Sequence, residues 1–354
     1  MKDITVEELI GSNEFIPVDV RSPIEHKEAS IPGSVNIPLF SDEERREIGI
    51  LYKKSGEMAA RWRAMEVVSP KLPDILGQFR NLAETGATPV VHCWRGGMRS
   101  KAVATFLEYS GCESIRLSGG YRAFREYILE EIPMLLPKKA VIIHGMTGTG
   151  KTDILHELQA KGYPVLDLEQ MANHRGSLFG MIGTGDGYNQ KTFDALLFKR
   201  LNEMKGAPYF IMEAESKRIG RAVQPDSMLD RKKDAIHLFV HSSIEKRVER
   251  IMAEYVIPYQ GQGWFREEVL DKIRKIEKRL KNVPLAEELE QAVLGENYPE
   301  VIRILLIHYY DPRYTHALGE YEAKFIEIDG DHDSGAASLI EEHLPKAVRA
   351  GKAM

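Results

Sequence analysis

Short β-branched and aromatic runs alternate with longer amphipathic stretches through the first third of the chain. The segments FIPVDV (15–20), SVNIPL (34–39), TPVVHC (88–93) and SIRL (114–117) have the composition of strands. Between the last two, MRSKAVATFLEYSG places Val103, Phe106, Leu107 and Ser110 on one helical face, and Gly111 supplies a stop. Strands separated by helices pair in parallel, with both sheet faces covered. In EYILEEIPMLLPKKAVIIHG (126–145) a helix is predicted to end near Pro133, and a strand AVIIH (140–144) starts after Pro137 and two lysines. A seam is therefore expected at 134–139. A second α/β pattern follows, with predicted strands at PVLDLE (164–169), PYFIME (208–213), DAIHLFVH (234–241) and KFIEID (324–329). QKTFDALLFKRLNEM (190–204) reads as a helix with Phe193, Leu196, Leu197, Leu201 and Met204 on one stripe. The chain is thus expected to be α/β, with a parallel-sheet domain at 1–134 and a second domain at 138–354 whose stretch from about 265 to 320 is mostly helical.

Composition narrows the setting more than the chemistry. A length of 354 residues and 43% hydrophobic residues suit two globular cores. A net charge of −5 announces no global attraction to nucleic acid, so any such surface must be local. The two cysteines, Cys93 and Cys112, make no disulfide framework and point to a reducing cytoplasm. The start MKDITVEELI lacks the pattern of a secretory signal, and no apolar run approaches the roughly 20 residues of a membrane helix.

Two loops carry the chemistry. In VVHCWRGGMRS (90–100) a strand ends at Cys93, glycines follow and a helix begins. Backbone N–H groups and the helix N-terminus favour an anion there. Arg95 and Arg99 add positive charge, and together these favour a nucleophilic thiolate at Cys93. Cys112 has no such surroundings and reads as a small buried hydrophobe. In GMTGTGKT (145–152), between a predicted strand and a predicted helix, the spacing G-x-x-x-x-G-K-[ST] is complete. Gly145, Gly148 and Gly150 let the backbone close around phosphate; Lys151 reaches the terminal phosphate, and the Thr152 hydroxyl can take Mg²⁺. The following strand PYFIME ends in Glu213, where a Walker B strand has Asp, so phosphate binding follows from the pattern and ATP hydrolysis does not.

Weaker candidates surround these. NHRGSLFGMIGTGDGYNQ (173–190) is rich in glycine, and His174, Arg175 and Ser177 make it a candidate substrate loop as well as a candidate surface excursion. The helix FREEVLDKIRKIEKRLK (265–281) carries excess positive charge, and Lys272, Lys275, Lys278 and Arg279 could follow an RNA backbone; a solvated face is the plainer reading. Trp264, just before it, reads more naturally as a core residue than as a base-stacking one. Asp19, Arg21 and Glu25 are expected to brace the first domain through an internal ion pair.

HCWRGGMRS fits the His-Cys-x5-Arg-Ser loop of cysteine phosphatases and resembles the active loop of rhodaneses. DVRSPIEHKEASIPGSVNIP (19–38) resembles the rhodanese signature more closely, although the span Cys93 to Arg99 is seven residues where common rhodanese loops have six. A wider loop could admit phosphate or selenophosphate. The rhodanese-like loop, GMTGTGKT, HRGS, MEAESKRIG (212–220) and YYDPRY (309–314), in this order, resemble the bacterial tRNA 2-selenouridine synthase family from about residue 4 to beyond 310. That resemblance implies a rhodanese-like domain joined to a P-loop NTPase-like domain. It implies exchange of the sulfur of wobble 2-thiouridine, in tRNAs for Lys, Glu and Gln, for selenium from selenophosphate. It also implies that a geranyl group from geranyl diphosphate can first be placed on that sulfur. Cys93 matches the family's essential cysteine, and Gly145 to Thr152 its phosphate loop. A selenophosphate-producing enzyme is the partner this chemistry would need. Two other readings stay open from sequence: a cysteine phosphatase fused to a kinase-like P-loop domain, and a nucleotide-switched binding module.

Overall fold

The computed structural model describes residues 1–175, 179–180, 182–183, 185, 187–280, 282–318, 324–332 and 335–345. Two compact units emerge: residues 1–134 with 189–199, and residues 135–188 with 200–354. Among the described residues, no helix is long and apolar enough to cross a membrane.

The first unit is built on a parallel sheet of strands β1 (Lys2–Ile4), β2 (Phe15–Asp19), β3 (Val35–Asn36), β4 (Thr88–His92) and β5 (Ile115–Leu117), in the order β1-β5-β4-β2-β3. Helices Leu72–Glu84 and Met98–Tyr109 pack on β4, and their buried Phe79, Val103 and Leu107 join Val18, Val91 and Cys93 in one core. Gly111, at φ 80°, follows the end of Met98–Tyr109 in the left-handed conformation that glycine adopts without strain. The helix Gly120–Leu135 runs through Pro133, where the sequence predicts an end; the proline sits in the last turn, so few intrahelical bonds are lost. Residues 189–199, the first part of the helix Gln190–Glu203, group with this unit. Asn189 donates to the Glu28 carbonyl at 2.5 Å, Lys191 pairs with Glu28 at 2.7 Å, and Asp194 pairs with Arg125.

The second unit carries β6 (Lys139–Gly145), β7 (Tyr209–Glu213), the hairpin β8 (Arg218–Ile219) and β9 (Ala222–Val223), β10 (Ile236–His241) and β11 (Phe325–Asp329). Its main sheet is parallel, in the order β11-β10-β6-β7. The predicted strand 164–169 contracts to a single bridge from Val165 to Ile211. The cause is Asp167, whose carboxylate accepts from the Gln170 N–H at 2.8 Å and caps the short helix Leu168–Ala172. The helices Phe265–Leu280, Val283–Leu294 and Tyr298–Leu305 form a separate apolar cluster around Phe265, Ile273, Ile276, Leu289 and Val293. Two single π-helical turns, Met252–Val256 and Leu306–Tyr310, belong to this cluster.

Candidate functional site

β4 delivers Cys93 to the end of the first sheet, and its side chain is buried. The sulfur lies 3.3 Å from the Ser100 hydroxyl, which donates to the Gly97 carbonyl at 3.2 Å. Within the described residues the main-chain N–H groups of 95–99 have no hydrogen-bond partner, as an anion cradle requires. A second glycine turn closes the loop from below. Tyr121 and Arg122 donate their N–H groups to the carbonyls of Cys93 and Trp94, each at 2.9 Å. A Cβ on Gly120, whose φ is +63°, would sit 2.3 Å from the Cys93 carbonyl oxygen and 2.5 Å from the Gly96 nitrogen. Gly120 is therefore a requirement of the cysteine loop that no motif in the loop itself reveals.

The expected bracing by Asp19, Arg21 and Glu25 divides into two pairs. Buried Asp19 holds buried Arg21 through contacts of 2.6–3.0 Å, and Arg21 also donates to the Ala29 carbonyl at 2.6 Å. Burial pushes the Asp19 carboxyl up, and hydrogen bonding and charge from Arg21 more than reverse that, leaving it below its ordinary value. The Arg21 guanidinium lies 4.5 Å from the centre of the Tyr121 ring. Glu25 instead takes Arg99 at 2.5 and 3.2 Å, with Arg45 at 3.7 Å, so the charge of Arg99 is already matched. Arg95 is exposed.

His92 lies beside Cys93, fully buried, 3.9 Å from Asp19, and neither ring nitrogen has a hydrogen-bond partner. Burial depresses its pKa to about 4 against the attraction of Asp19. A histidine unfolded into water takes its proton near pH 6.5, so the unfolded state binds more protons between about pH 6.5 and 4. Stability is accordingly expected to fall by about 3 kcal/mol as pH drops through that window. Urea unfolding midpoints at pH 7 and 4.5 check this: His92→Asn should lose distinctly less on acidification than the parent protein, and an equal loss would contradict it.

The phosphate loop forms as its spacing predicts. β6 leads into it, and Gly148 and Gly150 adopt φ of +81° and +84°. A Cβ at Gly148 would lie 2.8 Å from Ile251 Cδ1, and one at Gly150 would lie 3.3 Å from Arg250 Nε. The Lys151 ammonium curls back to the carbonyls of Gly145 and Met146 at 3.0 and 3.3 Å. The Thr152 hydroxyl donates to Glu213 at 2.9 Å. Glu213 does not stand alone: one carboxylate oxygen each of Glu169, Glu213 and Glu215 lie within 4.8 Å of one another. Burial raises the proton affinity of all three; repulsion from Glu213 adds to it at Glu169, which reaches about 9, and at Glu215, which reaches about 7, while repulsion from Asp167 adds to it at Glu213. An all-oxygen set of this kind, beside a hydroxyl and a phosphate cradle, suits a hard divalent cation.

The loop opens into a cavity of about 870 Å³. Its polar lining includes Lys151, Thr152, the three glutamates and Arg250, and its apolar lining includes Ile182, Phe265, Val269, Val301, Ile302 and Leu305, which belong to one packed cluster. Arg175 also lines it, held 3.0 Å from Glu254 and 4.8 Å from the Tyr255 ring centre. His174 packs instead against Gly220, where a Cβ would meet its ring at 2.8 Å. Ser177 lies outside the described residues.

The basic helix departs from the expected RNA surface. Lys272 is buried, with its ammonium 3.3 Å from Glu268, so it is no exposed phosphate contact. Lys275 is exposed, and the side chains of Lys278 and Arg279 lie outside the described residues. Trp264, expected in a core, is 42% exposed, packed at a tilt against Tyr259 and edge-on to Phe265. Cys112 is only half-buried, packed on the rim of the first core.

Fold and loops together define a rhodanese-like domain followed by a P-loop domain with a helical extension. A family model described as a rhodanese-like domain matches residues 5–127, and one described as the tRNA 2-selenouridine synthase AAA domain matches residues 138–345. The chain belongs to the tRNA 2-selenouridine synthase family. Proteins of that name from Pseudomonas syringae pv. syringae and Pseudomonas fluorescens Pf-5 are each 33% identical over 93% of this chain, covering 95% and 96% of their own lengths. One from Photobacterium profundum is 32% identical over 87% of this chain and 90% of its own.

Proposed function

We propose that this protein exchanges the sulfur of wobble 2-thiouridine in tRNAs for Lys, Glu and Gln for selenium from selenophosphate, and that it first attaches a geranyl group to that sulfur. Family membership supports the tRNA and selenium parts of this reading. The observation that carries the geranyl part is the cavity, which joins a phosphate cradle to an apolar chamber inside one domain. A hydrolytic nucleotide site needs no such chamber, whereas a donor with a diphosphate head and a hydrocarbon tail fills both parts, and the volume lies within the usual range for small-ligand sites.

In the first half-reaction the thiouridine sulfur would attack C1 of the donor; the new S–C1 bond forms as the C1–O bond breaks and diphosphate leaves, and the N3 proton of the base passes to solvent. Lys151 and the loop N–H groups would stabilise the charge gathering on that leaving group. Mg²⁺ held by Thr152, Glu213, Glu169 and Glu215 would neutralise it further. In the second half-reaction the Cys93 loop would hold selenophosphate. The Cys93 thiolate would attack phosphorus, forming S–P as P–Se breaks. The released hydrogen selenide would attack C2 of the geranylated base as the C2–S bond breaks and geranylthiol leaves, and water would then free phosphate from Cys93. The phosphatase alternative needs a general acid beside the cysteine loop, and among the described residues none is evident there. The nearby carboxylates Asp19 and Glu25 are committed to Arg21 and Arg99.

Calorimetric titration with geranyl diphosphate, inorganic diphosphate and ATP tests the donor assignment. Burial of the tail predicts binding at least about 100-fold tighter for geranyl diphosphate than for inorganic diphosphate. Equal affinities, or a preference for ATP over the prenyl donor, would contradict it.

A further inference from the structure

The segment YYDPRY (309–314) has a role that neither the phosphate cradle nor the apolar chamber accounts for. Tyr310, Arg313 and Tyr314 line the cavity. Tyr310 closes the π-helical turn Leu306–Tyr310, and Asp311 opens the helix Asp311–Leu318. The π turn breaks the regular spacing and brings Tyr310 into the cavity wall, which is where such turns commonly carry function. The segment is tethered to the phosphate loop by two links. Buried Arg247 grips the Asp311 carboxylate at 2.6 and 2.9 Å, and its Nε donates to the Thr147 carbonyl at 2.8 Å. Arg313, exposed to solvent, donates to the Tyr309 carbonyl at 2.8 Å, and its guanidinium lies 3.7 Å from the Tyr309 ring centre. The other π turn, Met252–Val256, sets Tyr255 and the overlying Arg175 into the same cavity.

Tyr310, Arg313, Tyr314, Tyr255 and Arg175 thus line the same cavity as the phosphate loop and the apolar residues. The alkenes of a prenyl chain can lie on aromatic rings, but rings paired with guanidinium groups also suit an unstacked nucleobase and its backbone phosphate. Alkyl transfer also requires acceptor and donor atoms within about 3.5 Å, so the acceptor base must enter the donor's own cavity.

We propose that Tyr310, Arg313 and Tyr314 form the acceptor subsite, on which a pyrimidine base splayed out of an RNA loop stacks while Arg313 meets its backbone phosphate. The proposal rests on the RNA-transfer reading above and adds to it the place where the RNA is held. The tether through Arg247 keeps that platform in fixed register with the phosphate loop.

The test uses the full chain, a fluorescent anticodon stem-loop RNA containing 2-thiouridine, and geranyl diphosphate. Tyr310→Ala and Tyr314→Ala should each weaken RNA binding by roughly tenfold or more, the usual effect of losing a base-stacking ring, with donor affinity within about twofold of the parent. Tyr310→Phe, which keeps the ring, should restore most of the RNA affinity. Arg313→Ala should lower the salt dependence of RNA binding by about one phosphate contact. Alanine variants that bind RNA like the parent, or that lose donor binding instead, would overturn the assignment. A parent protein that binds the donor but no thiolated RNA would overturn the reading beneath it as well.

Discussion

Replacing Cys93 by alanine is expected to abolish selenium incorporation, by at least about a thousandfold, while geranyl transfer to thiolated tRNA continues at the parental rate. The sulfur lies in a loop whose N–H groups 95–99 have no hydrogen-bond partner among the described residues, and the Ser100 hydroxyl lies 3.3 Å from it. The fold should survive, because removing one buried sulfur is a small deletion, costing about 1 kcal/mol. Cys93→Ser separates chemistry from packing: it nearly preserves the shape of the site but supplies a poor nucleophile. Serine should be as inactive as alanine in selenium transfer. A serine variant with substantial selenation would mean that the sulfur only fills space. Nucleoside mass analysis of the treated tRNA, alongside a thermal unfolding curve, reads both outcomes.

Lys151→Ala is expected to have the opposite signature. It removes the ammonium that bridges the Gly145 and Met146 carbonyls of the phosphate loop. Loss of one preorganised charge-stabilising donor typically costs a hundred- to a thousandfold in rate, and geranyl transfer should fall by about that much. Selenation of tRNA that already carries the geranyl group should be spared, since the proposal assigns that step to the Cys93 loop. Lys151→Arg should recover little, because the longer, planar guanidinium cannot curl under the loop as the lysine does. If Lys151→Ala blocked selenation of pre-geranylated tRNA as strongly as geranylation itself, the division of labour between the two loops would be wrong.

What could be read from the sequence and what could not divides along a physical line. Both loops are contiguous, and each depends on backbone conformations that only particular residues allow, so Cys93 and Gly145 to Thr152 stand out in one dimension. The central strands were nearly as legible, since β2, β4, β6, β7 and β10 are each built on a short apolar stretch, whereas the three-residue edge strand β1 and the two-residue strands β8 and β9 are too short to stand out. The segment at 164–169 failed as a strand because the capping tendency of Asp167 prevails over the apolar run before it. The helix Asp42–Val68 is absent from the predicted elements. Its large apolar residues Met58, Trp62 and Met65 are exposed, and Gly56, at φ 84°, interrupts its period.

The partners within the sites were hidden because they come from distant segments. Glu25 and Arg99 are 74 residues apart, and Thr152 and Glu213 are 61 apart. Glu169 and Glu215 look like ordinary surface acids until the fold brings them to Glu213. The wall that suits a hydrocarbon is assembled from Ile182, Phe265 and the helix Tyr298–Leu305, which as sequence are simply core residues. Lys272 shows the converse error: a cationic run marks a basic helix but does not say which of its lysines turns inward to an acidic neighbour.

The most direct measurement supplies purified protein with 2-thiouridine tRNA and omits geranyl diphosphate or selenophosphate in turn, then digests the tRNA and weighs its nucleosides. With both donors the wobble nucleoside should gain selenium in place of sulfur; with geranyl diphosphate alone it should gain one C10 chain on sulfur. A wobble nucleoside left at its starting mass by active, folded protein supplied with both donors would contradict the assignment of either loop to this chemistry.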